Sequence, residues 1–270
     1  MLKAKAKINR VDKPLMALSL PWTRAWVTGA GRGIGKALTL LLCAQGVDVY
    51  ASARSKSDLL KLEKECEGLV GRCIISVLDI TQVPEIDDLV LQWNKHDAWP
   101  DLFVLNAGTH DPFSAYDFDA QRCQRLLDVN LQGTINCLDP LLKRCIEVNT
   151  GHIAVMASVA GYRGLPTAAA YGASKAALIN LTESLHADLY KTDIVLQVIN
   201  PGFVRTPLTD KNDFKMPALM EVDAAATRLL KGLLSSSFEL SFPRRFVLAL
   251  KLLRLLPDSW YFSIVSRLVL

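Results

Sequence analysis

The chain has 270 residues, half of them hydrophobic, enough to build a sizeable core in one large α/β domain or two small ones. Its net charge of +4 is mildly basic, and no Lys/Arg block marks a nucleic-acid surface. Cys43, Cys66, Cys73, Cys123, Cys137 and Cys145 show no C-x-x-C spacing and no nearby histidine pair. That scatter argues against a metal site or a disulfide framework and suits reduced thiols in a cytoplasmic protein.

Residues 1–21 open with lysines and a short apolar patch broken by proline and charge, with no small-residue cleavage site after it. They read as a basic tail rather than a secretory signal. From Arg24 onward, short apolar runs alternate with helix-length stretches. "RAWVTG", "VDVYASA", "RCIISVLD", "DLFVLNAG", "GHIAVMAS" and "DIVLQVINPG" read as buried strands. Helices are expected over 33–45, 57–66, 84–94, 118–147 and 168–189. Strands apolar on both faces, alternating with helices, imply a parallel sheet covered on both sides. Ligands of such sheets bind at the carboxyl ends of the strands, so the residues after each strand carry the chemistry.

After the first strand comes "TGAGRGIGKAL", with Gly29, Gly33 and Gly35 ahead of an apolar helix. Missing side chains there let a diphosphate approach the backbone N–H groups of a helix N-terminus. The loop lacks a Walker lysine followed by Ser/Thr, so phosphate transfer is not indicated. The second strand ends at Ser52, Ala53 and Arg54, where an acidic residue would select the ribose hydroxyls of NAD. Arg54, with Arg32 in the glycine loop, instead suits the 2′-phosphate of NADP(H). Asp79 follows the third strand, positioned to accept from an adenine amino group. Asn106, Ala107 and Gly108 follow the fourth, small enough for close approach of a cofactor.

The fifth strand ends at Ser158, and an Ala-rich helix follows with Tyr171 and Lys175 at i and i+4 on one face. A phenol of pKa about 10 is a poor base near neutrality, and a neighbouring ammonium together with an oxidised nicotinamide lowers it. A shift of about three units requires roughly 4 kcal/mol of differential stabilisation. Tyr171 then exchanges a proton with the substrate oxygen while the nicotinamide moves a hydride.

Over residues 22–240 the chain resembles the short-chain dehydrogenase/reductase family. The resemblance rests on the run from Thr28 to Gly35, on Asp79, Asn106-Ala107-Gly108, Asn130 in "DVNLQG", Ser158, Tyr171-x-x-x-Lys175 and "NPGFVRTP" from Asn200. It implies a Rossmann-type doubly wound parallel sheet of about seven strands in a single domain. Ser158 would hydrogen-bond the substrate oxygen and Tyr171 would be the general acid/base. Lys175 would bind the nicotinamide ribose, and Asn130 would hold a water linking that lysine to solvent. Cofactor contacts would come from Thr28, Gly29, Gly31, Arg32, Gly33, Ile34, Gly35, Arg54, Asp79, Ile80, Asn106, Ala107 and Gly108. Tyr171, Lys175, Pro201, Gly202, Val204 and Thr206 would complete them. The family usually assembles as a homodimer or homotetramer through the helices expected at 118–147 and 168–189.

The catalytic domain is thus expected over 22–241, followed by an apolar, basic extension over 242–270 that departs from the family. Pro257 divides the extension into two helix-length pieces, each too short to span a membrane. Lys251 and Arg254 are expected on a face opposite a broad leucine face, which suits a membrane surface, a cover over the substrate cleft or a subunit contact. Phe113, Tyr162, Leu165, Phe203, Leu208, Phe214, Met216 and Leu219 make the substrate side mainly apolar, although Arg163 and Arg205 leave a carboxylate open. His110 is read as a surface residue. The expected activity is NADP(H)-dependent interconversion of a hydrophobic alcohol and its carbonyl compound. The alternatives are a non-catalytic NADP-binding sensor or scaffold, and an extended-type epimerase or dehydratase, which would need a larger C-terminal domain.

Overall fold

The computed structural model describes residues 19–214 and 216–269, so most of the expected tail over 1–21 lies outside the described residues. The chain runs through β1 (Arg24–Thr28), α1 (Gly33–Ala44), β2 (Asp48–Ala53), α2 (Lys56–Glu65) and β3 (Cys73–Val77). It continues through α3 (Val83–His96), β4 (Leu102–Leu105), α4 (Ala120–Leu127) and, after a π-helical turn at Asp128–Gln132, α5 (Gly133–Val148). Then come β5 (Thr150–Met156), α6 (Ala169–Asp188), β6 (Asp193–Pro201), α7 (Val222–Leu233) and β7 (Glu239–Phe242). Helices α8 (Arg244–Arg254) and α9 (Asp258–Val269) form a C-terminal arm.

Among the described residues the seven strands form one sheet in the order β3-β2-β1-β4-β5-β6-β7, with every pairing parallel. This is the expected doubly wound Rossmann architecture. Side chains alternate across each strand. Ala25, Val27, Leu102 and Val104 therefore face one layer with Leu38 and Leu42 of α1 and Leu229 of α7. Trp26, Phe103 and Leu105 face the other, with Trp93 of α3, Leu141 of α5 and Leu178 of α6. The second layer is unusually aromatic. The Trp93 ring centroid lies 5.2 Å from Trp26, 5.4 Å from Trp99 and 5.7 Å from Tyr50.

Two elements escape the sequence pattern, and one splits. Strand β7 is only "ELSF", too short for an alternation to register, and α7 follows a loop with no strand signal before it. The single helix expected over 118–147 is α4 and α5 joined by the π turn, so the backbone widens at Asn130. Trp22 is buried against His152, with ring centroids 5.4 Å apart, and so belongs to the domain.

The extension forms two helices, as expected, but its faces are arranged differently. Val247 is buried and Phe246, Leu250 and Leu253 are partly buried, so one apolar face packs on the domain. Leu248, Leu252 and Leu255 are exposed (59%, 58% and 79%). Lys251 bends back to pair with Glu239, so the cations do not stand on a face opposite all the leucines.

Trp93→Ala is expected to destabilise the fold by about 3–5 kcal/mol, because it empties the centre of the aromatic layer. Urea unfolding of the two proteins measures this, and a loss under about 1 kcal/mol would show that the layer collapses around the gap.

Candidate active site

The strand order reverses direction between β1 and β4, and a groove of about 470 Å³ opens there along the carboxyl ends of the strands. That volume suits a cofactor or drug-sized ligand. The first loop shapes one end. Gly29 has φ +65°, and a Cβ on it would lie 2.8 Å from the Ala107 backbone. A Cβ on Gly35 would lie 2.5 Å from both the Asn106 amide nitrogen and the Gly29 carbonyl oxygen. Only glycine lets β1, α1 and the loop after β4 approach this closely.

Helix α1 starts with Arg32 as its N-cap, without a side-chain hydrogen bond to the first turn and without an acidic residue there. Its leading N–H groups lack intrahelical partners, and the helix dipole favours an anion beside them. Gly31, Gly33 and Ile34 line the groove at this end. The residues therefore fit a diphosphate.

Asn106 and Thr28 act as the frame. Asn106 Nδ2 donates to the carbonyls of Thr28 (3.0 Å) and Gly29 (3.2 Å), and Ala107 N donates to Thr28 Oγ1 at 3.0 Å. Thr28 and Gly35 are buried behind the groove, whereas Asn106, Ala107 and Gly108 line it. In the glycine loop that leaves the same end of β1, Arg32 Nε donates to Asp58 at 2.7 Å, and this guanidinium holds the Asp58 carboxyl below its ordinary value. Arg54 Nη1 lies 3.9 Å from Asp79. Both arginines line the groove and have two thirds of their side-chain surface exposed, leaving donors free for a further anion. Ile80 also lines it. Sequence reasoning missed Asp58, whose place on the first turn of α2 no motif marks.

Ser158 caps a 3-10 turn beyond β5, its hydroxyl accepting from Ala160 N at 3.1 Å. The same hydroxyl lies 3.5 Å from the Pro201 carbonyl oxygen, joining the ends of β5 and β6. Tyr171 is partly buried, and burial pushes its phenol above the ordinary value while the Ser158 hydroxyl acts in the opposite direction. Lys175 is buried and donates to the Met156 carbonyl at 2.8 Å; desolvation pulls its ammonium down to about 8. Its Nζ stands 5.7 Å from the Tyr171 ring centroid. Among the protein's own groups, burial therefore outweighs the Ser158 hydrogen bond, and the lowering expected from the lysine is not found.

Asn130, on the π turn, is fully buried. Its Oδ1 accepts from Thr109 N at 2.7 Å, and its Nδ2 donates to Thr109 O at 2.9 Å and to Ser174 Oγ at 3.2 Å. A Cβ on Gly108 would lie 3.3 Å from Asn130 Oδ1 and 3.6 Å from Lys175 Nζ, so the three residues meet at one point. The loop after β6 closes the groove from above: Pro201, Gly202 and Val204 line it, and Thr206 Cγ2 would touch a Cβ on Gly33 at 3.1 Å.

His110 corrects the sequence reading. It is 8% exposed, its ring packs edge-on against Tyr171 with centroids 4.7 Å apart, and its Nε2 pairs with Asn212 Oδ1 at 3.0 Å. Lys211, which the sequence did not single out, donates to the His110 carbonyl at 2.6 Å and lines the groove. Phe113 is also displaced from its expected role, packing inward with Leu126 and Ala170. Arg205 pairs with Glu221 at 3.0 Å, and Arg163 is spent on the arm. Neither arginine is left dedicated to a substrate carboxylate.

Residues 23–216 match the family model described as short chain dehydrogenase. An uncharacterized oxidoreductase of Myxococcus xanthus is 34% identical over 250 residues, covering 92% of this chain and 98% of that one. The 3-oxoacyl-[acyl-carrier-protein] reductase FabG of Thermotoga maritima is 36% identical over 190 residues, covering 68% of this chain and 75% of its own. A solved structure of an actinorhodin polyketide ketoreductase with NADPH superposes with a TM-score of 0.72 at 25% identity, covering 81% of this chain and 95% of that one. The arrangement of the groove and the match along nearly the whole domain lead to one assignment: the chain belongs to the short-chain dehydrogenase/reductase family of oxidoreductases.

Proposed function

We propose that the protein interconverts a hydrophobic alcohol and its ketone or aldehyde with NADP(H), using Tyr171 as general acid/base. The carrying observation is the meeting of Ser158, Tyr171 and Lys175 in the groove that ends at the uncapped N-terminus of α1. When bound, NADP(H) would supply or take up the hydride at the carbon bearing the substrate oxygen. Gly29, Gly31, Gly33 and Ile34 would hold the diphosphate, Arg32 and Arg54 the 2′-phosphate, and Asp79 and Ile80 the adenine side. Lys175 would bind the nicotinamide ribose, with Pro201, Gly202, Val204 and Thr206 over the nicotinamide. In reduction, Ser158 orients the carbonyl oxygen and Tyr171 gives it a proton, completing the alcohol; oxidation removes the same proton. The proton lost is replaced through Lys175 and Asn130.

The apolar substrate rests on Leu208 in the groove and on the Phe203–Phe214 pair, with ring centroids 5.7 Å apart. The ketoreductase solved with NADPH supports the cofactor, and the 3-oxoacyl reductase supports a carbonyl attached to an apolar chain. A homodimer or homotetramer through α4, α5 and α6 follows the habit of the family.

The 22–241 unit is read as the catalytic domain and the arm as its peripheral membrane contact. Among the described residues no helix is long and apolar enough to cross a membrane. The arm carries Arg244, Arg245, Lys251, Arg254 and Arg267 against Asp258 alone, an excess equal to the net charge of the whole chain. Arg244 and Arg245 share the exposed surface of α8 with Leu248, Leu252 and Leu255. Cations interleaved with exposed leucines complement anionic headgroups above an acyl layer.

Tyr171→Phe is expected to lower kcat by about 10²–10⁴-fold while NADPH affinity stays within about twofold, since only the ionisable hydroxyl is lost. NADPH absorbance across a panel of apolar ketones and alcohols reads this, and wild-type turnover in the variant would remove the assignment. A wild-type chain that binds NADPH yet turns over none of the panel would favour the sensor reading.

Neutralising Arg32 and Arg54 together is expected to weaken NADPH binding by about 10–100-fold with little change for NADH. Fluorescence titration with both cofactors measures it. Equal affinity of the unmodified protein for NADH and NADPH would leave the two guanidinium groups without this role.

The full chain is expected to float with anionic liposomes, and replacing Leu248, Leu252 and Leu255 with serine should detach it without unfolding, since all three are exposed. High salt should weaken the binding only in part, because it screens the cations and leaves apolar insertion intact. A protein that ignores liposomes would assign the face to another subunit instead.

A further inference from the structure

Arg163 stands in the loop that continues from Ser158 and its 3-10 turn, a place where a guanidinium could face a substrate. It turns to the arm instead. Nη1 donates to the carbonyls of Arg254 (3.0 Å) and Leu256 (2.8 Å), and Nη2 pairs with the Asp258 carboxylate. Carbonyls at the end of α8 have no intrahelical partner, so the arginine satisfies them and places a cation where the helix dipole favours one. The guanidinium carbon also lies 3.9 Å from the centroid of the Tyr261 ring, which is 2% exposed. The Tyr261 hydroxyl returns a hydrogen bond of 2.7 Å to the Gly164 carbonyl, so α9 and the loop hold each other from both sides.

Two further contacts attach the arm near the same place. Glu239 of β7 accepts from the Tyr162 hydroxyl, from Asn200 Nδ2 at 3.0 Å and from Lys251 Nζ of α8. The Phe246 ring lies 5.8 Å from Phe203 and would meet a Cβ on Gly202 at 3.0 Å. Gly202 lines the groove one residue after Pro201, whose carbonyl faces Ser158. The arm thus bears on the segments that flank Ser158, while the glycine loop and the arginines lie at the opposite end of the groove.

We propose that α8 and α9 form a wall of the substrate site, with Phe246 limiting the width of the apolar group admitted, and that Arg163 is the positioning residue that clasps this wall to the loop carrying Ser158. This rests on the oxidoreductase reading and assigns the arm a part in its substrate side. The arm has two working faces: one builds the site, and the other meets the membrane.

The test uses the full chain with Arg163→Ala, Arg163→Lys and Phe246→Ala, each first checked for NADPH binding as evidence of an intact domain. In Arg163→Ala, trypsin should cut after Arg254 about tenfold faster or more, and KM for an apolar ketone should rise about tenfold or more with NADPH affinity unchanged. Arg163→Lys should recover neither effect, because a single ammonium cannot span two carbonyls, a carboxylate and an aromatic face. Phe246→Ala should keep the arm protected and raise the kcat/KM ratio of bulky to small ketones about tenfold. An arm that stays protected in Arg163→Ala overturns the clasp, and a freed arm with KM unmoved or an unmoved size ratio in Phe246→Ala overturns the wall. Failure of the wild type to turn over any carbonyl compound would count against the oxidoreductase reading and the wall together, while proteolysis would still decide the clasp by itself.

Discussion

A parallel sheet wound in two directions must part its loops where the winding reverses, and the loops on either side then need to be tied together. Here a single amide does this. Asn106 reaches from the end of β4 to the carbonyls of Thr28 and Gly29, and the Thr28 hydroxyl accepts from Ala107 N. The glycines let the two backbones come close enough for these bonds to form. From that junction α1 points its open N-terminus into the groove, and Gly108 brings Asn130 and Lys175 to one place. The site is an outcome of backbone packing before any side chain acts in it.

Lys175 shows what this packing costs. A buried ammonium is expensive, and desolvation lowers its affinity for a proton until it titrates at about 8. The Met156 carbonyl fixes its position, and the π turn sets Asn130 beside it. A buried lysine under such a penalty and a tyrosine whose phenol burial pushes up form a pair of perturbed groups of the kind that supports the proton-transfer role proposed for this groove.

The parallel sheet, the glycine loop and the tyrosine–lysine pair were legible because each depends on local pattern, whereas the double winding was implied by the family resemblance. Apolar runs separate strands from helices, missing side chains mark the glycine loop, and i,i+4 spacing sets a shared face. What stayed hidden depends on distant partners. Nothing near His110 shows that Lys211 and Asn212 will arrive from another loop to bury it against Tyr171. Arg163 looked like a candidate for a substrate carboxylate because its partners, Arg254, Leu256 and Asp258, lie in an appended segment that the domain pattern does not include. Helical spacing correctly indicated an amphipathic α8, but could not say that its apolar residues would divide between an inner and an outer face. Strand β7 was too short to carry a signal, and it forms because β6 offers it an edge.

The arm also carries a built-in optical label. Of the five tryptophans, Trp22, Trp26 and Trp93 are buried, Trp99 is partly covered within the aromatic layer, and Trp260 on α9 is 65% exposed. An aqueous quencher such as iodide therefore reaches the indole of the arm well before those of the domain. Emission from this one residue is separable from the rest without any introduced dye, so the environment of α9 can be followed in the unmodified protein while the core fluorescence serves as an internal reference.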